Sequence, residues 1–222
     1  MAEKLTPEKI EEIAKNFEKI QEGKLPIIKG EKETVTEKID PKILQAKKEE
    51  KRILPLIPPS DPRLLMQVAP FIDDTLKEFD FKDRVELSKV MYDTMVKYGG
   101  IGLSANQVGL PYRMFIMGGH PSIEGGKIRS VFNPLINDVS KETVMMKEGC
   151  LSFPFLFLSI TRPKWCHVKY TDQHGKDVEE VLHGMNARIF QHENEHMNGY
   201  VFTDLVSKMK LERAKEARKK ML

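Results

Sequence analysis

The chain has 222 residues, 36 Lys and Arg against 33 Asp and Glu, a formal net charge of +3, and 40% hydrophobic residues. That length fits one sizeable domain with appendages, and two cysteines, Cys150 and Cys166, are too few for a secreted disulfide scaffold. No apolar run approaches the ~18 residues of a membrane span, and the opening MAEKLTPEK lacks a signal segment, so a soluble intracellular protein is the expectation and collagen-like, membrane-spanning and wholly disordered classes are excluded.

Charge is unevenly placed. Residues 1–50 hold 11 basic and 12 acidic side chains, whereas residues 206–222 hold seven basic and two acidic. The body between them is close to neutral and shows no nucleic-acid footprint. In the first segment, Thr6-Pro7 predicts a helix start, with Ile10, Ile13, Phe17 and Ile20 on one face and Gly23 as its end. A single apolar stripe is too little to fold alone. From Ile53 the composition turns globular, beginning with the proline-punctuated, extended ILPLIPPSDPRLL.

Leu87, Val90, Met91, Thr94, Met95 and Tyr98 follow helical spacing, and Gly99-Gly100 stops that helix. Short apolar segments then alternate with turns: RMFIM, VFNPLI, HVKYTD and EEVLH, the last two predicting a hairpin around Gly175. A second helix is predicted from Met185 to Gly199. The order helix, several strands, helix argues for an α+β fold with antiparallel sheet. Cys166, in the strand-like WCHV, is expected to be a small core hydrophobe.

The sharpest local signal is His192-Glu193-Asn194-Glu195-His196. Residues four apart share a helix face, so His192 and His196 can bind one metal, with Glu193 beside it as a general base. Met185 and Ile189 lie on the same face, one and two turns earlier. A third ligand is needed, and Cys150 in EGCLSFP is the candidate, between a glycine that permits close approach and a stiffening proline. A thiolate with two imidazoles suits iron(II), zinc, cobalt or nickel. A third segment, GIGLSANQ, is rich in small residues and reads as a loop after the first helix; it ends at Gln107, whose amide can donate to a developing oxyanion.

Taken together and in that order, GIGLSANQ, EGCLSFP and QHENEHMNG resemble the three motifs of the peptide deformylase family, over roughly Ile53 to Leu205. The resemblance implies antiparallel sheets packed around a central helix that carries the HExxH motif. It implies Cys150, His192 and His196 as metal ligands, Glu193 as catalytic carboxylate, and an oxyanion held by the Gln107 amide and the Leu151 N–H. A methionine pocket would be built by Ile101, Gly102, Met146, Glu148, Met185 and Ile189. The implied reaction is hydrolysis of the formyl group from N-formylmethionyl nascent chains in the cytoplasm, with iron(II) as native metal and zinc, nickel or cobalt as substitutes. The LFLSITRPKW stretch and the long leader are most similar to the phage-encoded branch.

Three positions depart from the family pattern: Ser104 stands where alanine is usual, Glu195 replaces an Asp, and Met197 replaces a Leu. Arg162 is expected to pair with Glu195 and so support the helix. The Phe155-Leu156-Phe157-Leu158 run is expected to make an apolar rim. The expected organisation is a charged, partly helical extension over 1–50, a catalytic domain over 51–205, and a basic helix or tail over 206–222. Val206, Met209 and Arg213 give that tail a broken apolar face, and its charge, with the family resemblance, implies a ribosome contact. Two rival readings stand beside this one. A zinc endopeptidase would take Glu216, 20 residues beyond His196, as third ligand. A non-catalytic module of deformylase-like fold would bind without turnover.

Overall fold

The computed structural model describes residues 51–220. The helix expected within residues 6–23 lies outside them. The first α-helix among them, α1, spans Arg84–Lys97. Asp83 caps it by accepting a hydrogen bond from the Glu86 N–H at 2.8 Å, which satisfies one of the free donors of the first turn. Leu87, Val90, Met91 and Met95 turn inward at the predicted spacing.

Seven strands follow among the described residues: β1 Gly102–Ser104, β2 Met114–Gly118, β3 Ile128–Val139, β4 Thr143–Cys150, β5 Phe153–Pro163, β6 Trp165–Thr171 and β7 Asp177–His183. All pair antiparallel, in one five-stranded sheet of order β1-β2-β3-β6-β7 and one two-stranded sheet of β4 and β5. The α+β class read from the element order therefore holds. The β6–β7 hairpin turns over Asp172–Lys176, where Gly175 adopts φ +77°. Cys166 is fully buried in β6, and burial pushes its thiol up to about 12.

Strand β2 explains the layering. Its five residues are all buried, the pattern of a strand covered on both faces. Met114 and Ile116 join Leu87 and Met91 of α1 in one core. Phe115 and Met117 point the other way, into a second core with Ala187, Ile189 and Phe190 of α2, the helix Gly184–Met197. The Phe115 and Phe190 rings meet edge to face at 5.1 Å. Full burial of such a ring is worth ~2–3 kcal/mol. Gly199 ends α2 at φ +78°, and a Cβ there would sit 2.7 Å from the Leu65 carbonyl oxygen, so only glycine fits.

The GIGLSANQ segment is more ordered than the expected loop. Gly102–Ser104 pairs with Phe115–Met117 as an edge strand, and Ala105–Val108 forms a single 3-10 turn. The β4–β5 hairpin is also unanticipated. Its strands pair from Thr143↔Pro163 to Gly149↔Phe157, then slip so that Cys150 faces Phe153 across a tight Leu151-Ser152 turn.

The basic tail forms α3, Lys208–Lys219. Its apolar face differs from the expected one. Met209 is 64% exposed, whereas Leu211 and Ala214 join Val206 against Leu156, Leu158 and Ile160 of β5. Among the described residues, no helix is long and apolar enough to cross a membrane.

Candidate active site

Two elements converge on one point. Helix α2 presents His192 and His196 one turn apart, and the β4–β5 turn brings Cys150 up to them. Cys150 Sγ lies 3.3 Å from His196 Nε2, and the ligand atoms of Cys150, His192 and His196 all lie within 4.8 Å of one another. Ligands ~2.0–2.3 Å from a shared tetrahedral ion stand about 3.5 Å apart, so this buried set has the spacing and donor chemistry of a metal site. Burial disfavours charge on His192, yet hydrogen bonds to Cys150 and Glu148 raise it to about 10. Burial and the nearby His192 charge push His196 well down. Metal uptake by both rings would displace the His192 proton.

Glu148 supports His192 from behind. Its Oε2 lies 3.1 Å from His192 Nδ1, which leaves Nε2 for a metal. Arg162 Nε and Arg188 Nη1 donate to Glu148 Oε1 at 2.7 and 2.6 Å, and Arg162 Nη2 donates to Glu195 Oε2 at 2.9 Å. The expected Arg162–Glu195 contact is thus present as part of a larger buried cluster. Arg188 was not anticipated as a member. Its position, four residues before His192 on the ligand face of α2, is the signal that points to it.

Glu193 is 4% exposed and lies outside the ligand set. Burial pushes its carboxyl above the usual carboxylate range. It faces β1, where a Cβ on Gly102 would collide with its Oε1 and stand 2.8 Å from Ile189 Cγ2. Ser104 Oγ donates to its Oε2 at 2.5 Å. The Ser104 N–H also donates to Gln107 Oε1 at 2.8 Å. This turns Gln107 Nε2 toward Cys150 Sγ at 3.3 Å and Ser152 Oγ at 3.0 Å.

These groups border a cavity of about 790 Å³. Ile101, Gly102, Glu148, Met185 and Ile189 line it as expected, together with Gln107, Cys150, Leu151, His192 and Glu193. Met146 does not. It sits half-buried on β4, cross-strand from Ile160, outside the cavity wall. The Glu148 carboxylate is committed to His192 and the two arginines. Strand alternation splits the apolar rim: Leu156 and Leu158 point into the core, while Phe155 and Phe157 remain 55% and 48% exposed beside the opening. Glu216, the rival third ligand, is exposed on α3 and paired with Lys219 at 2.6 Å.

Comparison with known proteins agrees with this geometry. Residues 55–212 match the family described as polypeptide deformylase. The chain is 43% identical to the peptide deformylase of Thermotoga petrophila over 131 residues, 59% of this chain and 77% of that one. The crystal structure of peptide deformylase from Thermotoga maritima superposes with a TM-score of 0.61 at 38% identity, covering 70% of this chain and 98% of the other. A Met-Ala-Ser-bound class I type b peptide deformylase from Acinetobacter baumannii gives a TM-score of 0.63 at 30% identity, covering 70% and 99%. With its motifs, its fold and its cysteine–histidine cluster in agreement, the chain belongs to the polypeptide deformylase family.

Proposed function

We propose that Cys150, His192, His196, Glu193, Gln107 and Leu151 divide among them the chemistry of this deformylase, which removes the formyl group from nascent peptides. The convergence of one thiol and two imidazoles beside the buried Glu193 carboxylate carries this assignment. Cys150, His192 and His196 would hold a divalent ion, which when bound would supply Lewis-acid activation of water and of the formyl group. Glu193 takes the proton of the attacking water and returns it to the leaving amine, a double duty suited to a carboxyl whose affinity for protons is raised by burial. Gln107 Nε2, already aimed at the thiol, and the Leu151 N–H donate to the oxygen as its negative charge grows. Hydrolysis then gives formate and a free amino terminus.

The methionine side chain fits the apolar wall of Ile101, Gly102, Met185 and Ile189. Phe155 and Phe157 are exposed at the rim of the same cavity, and we place the residues after methionine against them. We assign iron(II) as the working metal and the cytoplasm as the place of action, where formylated chains emerge. One experiment tests ligands and metal together. Protein isolated anaerobically should hold one iron per chain and release formate from formyl-Met-Ala-Ser. Cys150→Ala should lose both metal and turnover, and Glu216→Ala should keep both. The opposite pattern would overturn the ligand set, and zinc in place of iron would overturn the metal alone.

The exposed basic flanks of α3 are the surface we propose for the ribosome. Lys208 and Lys215 lie on one side of the covered face of Leu211 and Ala214, and Lys210 and Arg213 on the other, all exposed, and cationic side chains gain affinity for phosphate by releasing counterions. Deleting the helix would also strip Leu211 and Ala214 from β5, so charge neutralisation is the cleaner test. Changing those four residues to Gln should leave short-peptide turnover intact and flatten the salt dependence of ribosome cosedimentation by roughly 3 log units per log unit of salt. An unchanged slope would remove the ribosome from this surface.

A further inference from the structure

We propose that Ser104 is a positioning residue for proton transfer: its hydroxyl holds the Glu193 carboxylate in its working orientation. This rests on the reading of Glu193 as the proton carrier. Ser104 and Gly102 are two residues apart on β1 and therefore share one face of the strand, the face turned to α2. Each handles one carboxylate oxygen. Gly102 leaves the space that Oε1 occupies at the cavity wall. Ser104 Oγ donates to Oε2 at 2.5 Å and lies 3.3 Å from the Glu193 carbonyl oxygen. Among the described residues, it is the one side chain that hydrogen-bonds this carboxylate.

The contact is fully buried, since Ser104 has no exposed surface and Glu193 has 4%. A hydroxyl donating to a carboxylate in such a setting is short and about twice as strong as a neutral pair. It matters because the terminal torsion of a glutamate is broad and nearly two-fold, so packing alone fixes it poorly. With Oε2 tied to Ser104, Oε1 is the oxygen left facing the reacting groups. Small displacements of a reacting group are costly in rate. The same residue steadies Gln107, but through its main-chain N–H at 2.8 Å, which any substitution keeps. Ser104→Ala therefore removes the link to Glu193 and spares the link to Gln107.

Three full-length, metal-loaded variants test this: Ser104→Ala, Ser104→Cys, which fills similar space with a weak donor, and Glu193→Gln. For each, kcat, KM for formyl-Met-Ala-Ser, metal content and the infrared band of the Glu193 carboxyl are measured, the band isolated by difference from Glu193→Gln. Both Ser104 variants should lower kcat, Ser104→Ala by on the order of tenfold, with KM and metal content unchanged. The carboxyl band should move in both. A parent-like kcat, an unmoved band, or a loss shared by KM or metal content would overturn the inference. If Glu193→Gln is inactive while the Ser104 variants are normal, this inference alone fails. If Glu193→Gln turns over like the parent, the proton-carrier assignment fails and takes this one with it.

Discussion

Glu193→Gln should keep its metal and lose roughly 10²- to 10⁴-fold in kcat, because one substitution removes the group we propose as both base and acid of the reaction. The geometry makes the result discriminating. The ligand set proposed above, Cys150, His192 and His196, leaves Glu193 out, so metal content measured beside turnover should not change. Loss of metal with loss of activity would make Glu193 a ligand. The fold should not suffer either. A carboxyl whose affinity for protons is raised by burial favours the folded state below the ordinary carboxylate range and costs stability once pH rises through its folded value. The amide removes that cost and can still accept from Ser104, so the thermal midpoint near neutral pH should hold or rise. A clear fall would mean that the charge is compensated by partners other than those seen here. In the parent, activity should climb with pH as Glu193 ionises, since only the ionised form can take a proton.

Glu148→Gln should destabilise the protein by about 3–5 kcal/mol at neutral pH, the usual cost of breaking a buried ion pair from one side. Glu148, Arg162 and Arg188 are each no more than 5% exposed at the side chain. Without the carboxylate, Arg162 keeps only Glu195, whose side chain is 24% exposed, and Arg188 keeps only the uncharged Ile160 and Val144 carbonyls. Burial alone would raise the Glu148 value, but hydrogen bonds from His192 and Arg162 win and hold it at about 2. The sign follows directly. The stabilisation is present above the ordinary value near 4.5 and is lost as pH falls toward 2. Urea titrations across that window should show steep acid sensitivity in the parent and a flatter response in Glu148→Gln. Metal affinity should also fall ~10- to 100-fold, because His192 loses the partner that fixes its ring. Equal urea midpoints for parent and variant at neutral pH would show that the cluster adds nothing to stability.

What could be read from the sequence was what short range dictates. Residues four apart on a helix share a face whatever surrounds them, so His192 and His196 could be paired from their spacing. Alternation and turn chemistry made the β6–β7 hairpin legible, and helical spacing with a glycine stop delimited α1. Family resemblance joined Cys150 to the histidines across 46 residues and Gln107 to Cys150 across 43, links that no local rule supplies. Only the tertiary structure decided the rest. The β4–β5 pairing was hidden because β4 mixes Lys147, Glu148 and Gly149 with apolar residues, and so lacks a clean alternation. Met146 falls short of the cavity because the lining on β4 begins only at Lys147, a boundary set by how the hairpin meets α2. The tail's apolar face changed because contact with β5, not sequence hydropathy alone, selects which residues of α3 are covered. Above all, Ser104 meets Glu193 across 89 residues and Glu148 meets His192 across 44. A polar side chain's role depends on which group it is buried against. Chain folding brings such groups together without leaving a periodic trace in the sequence.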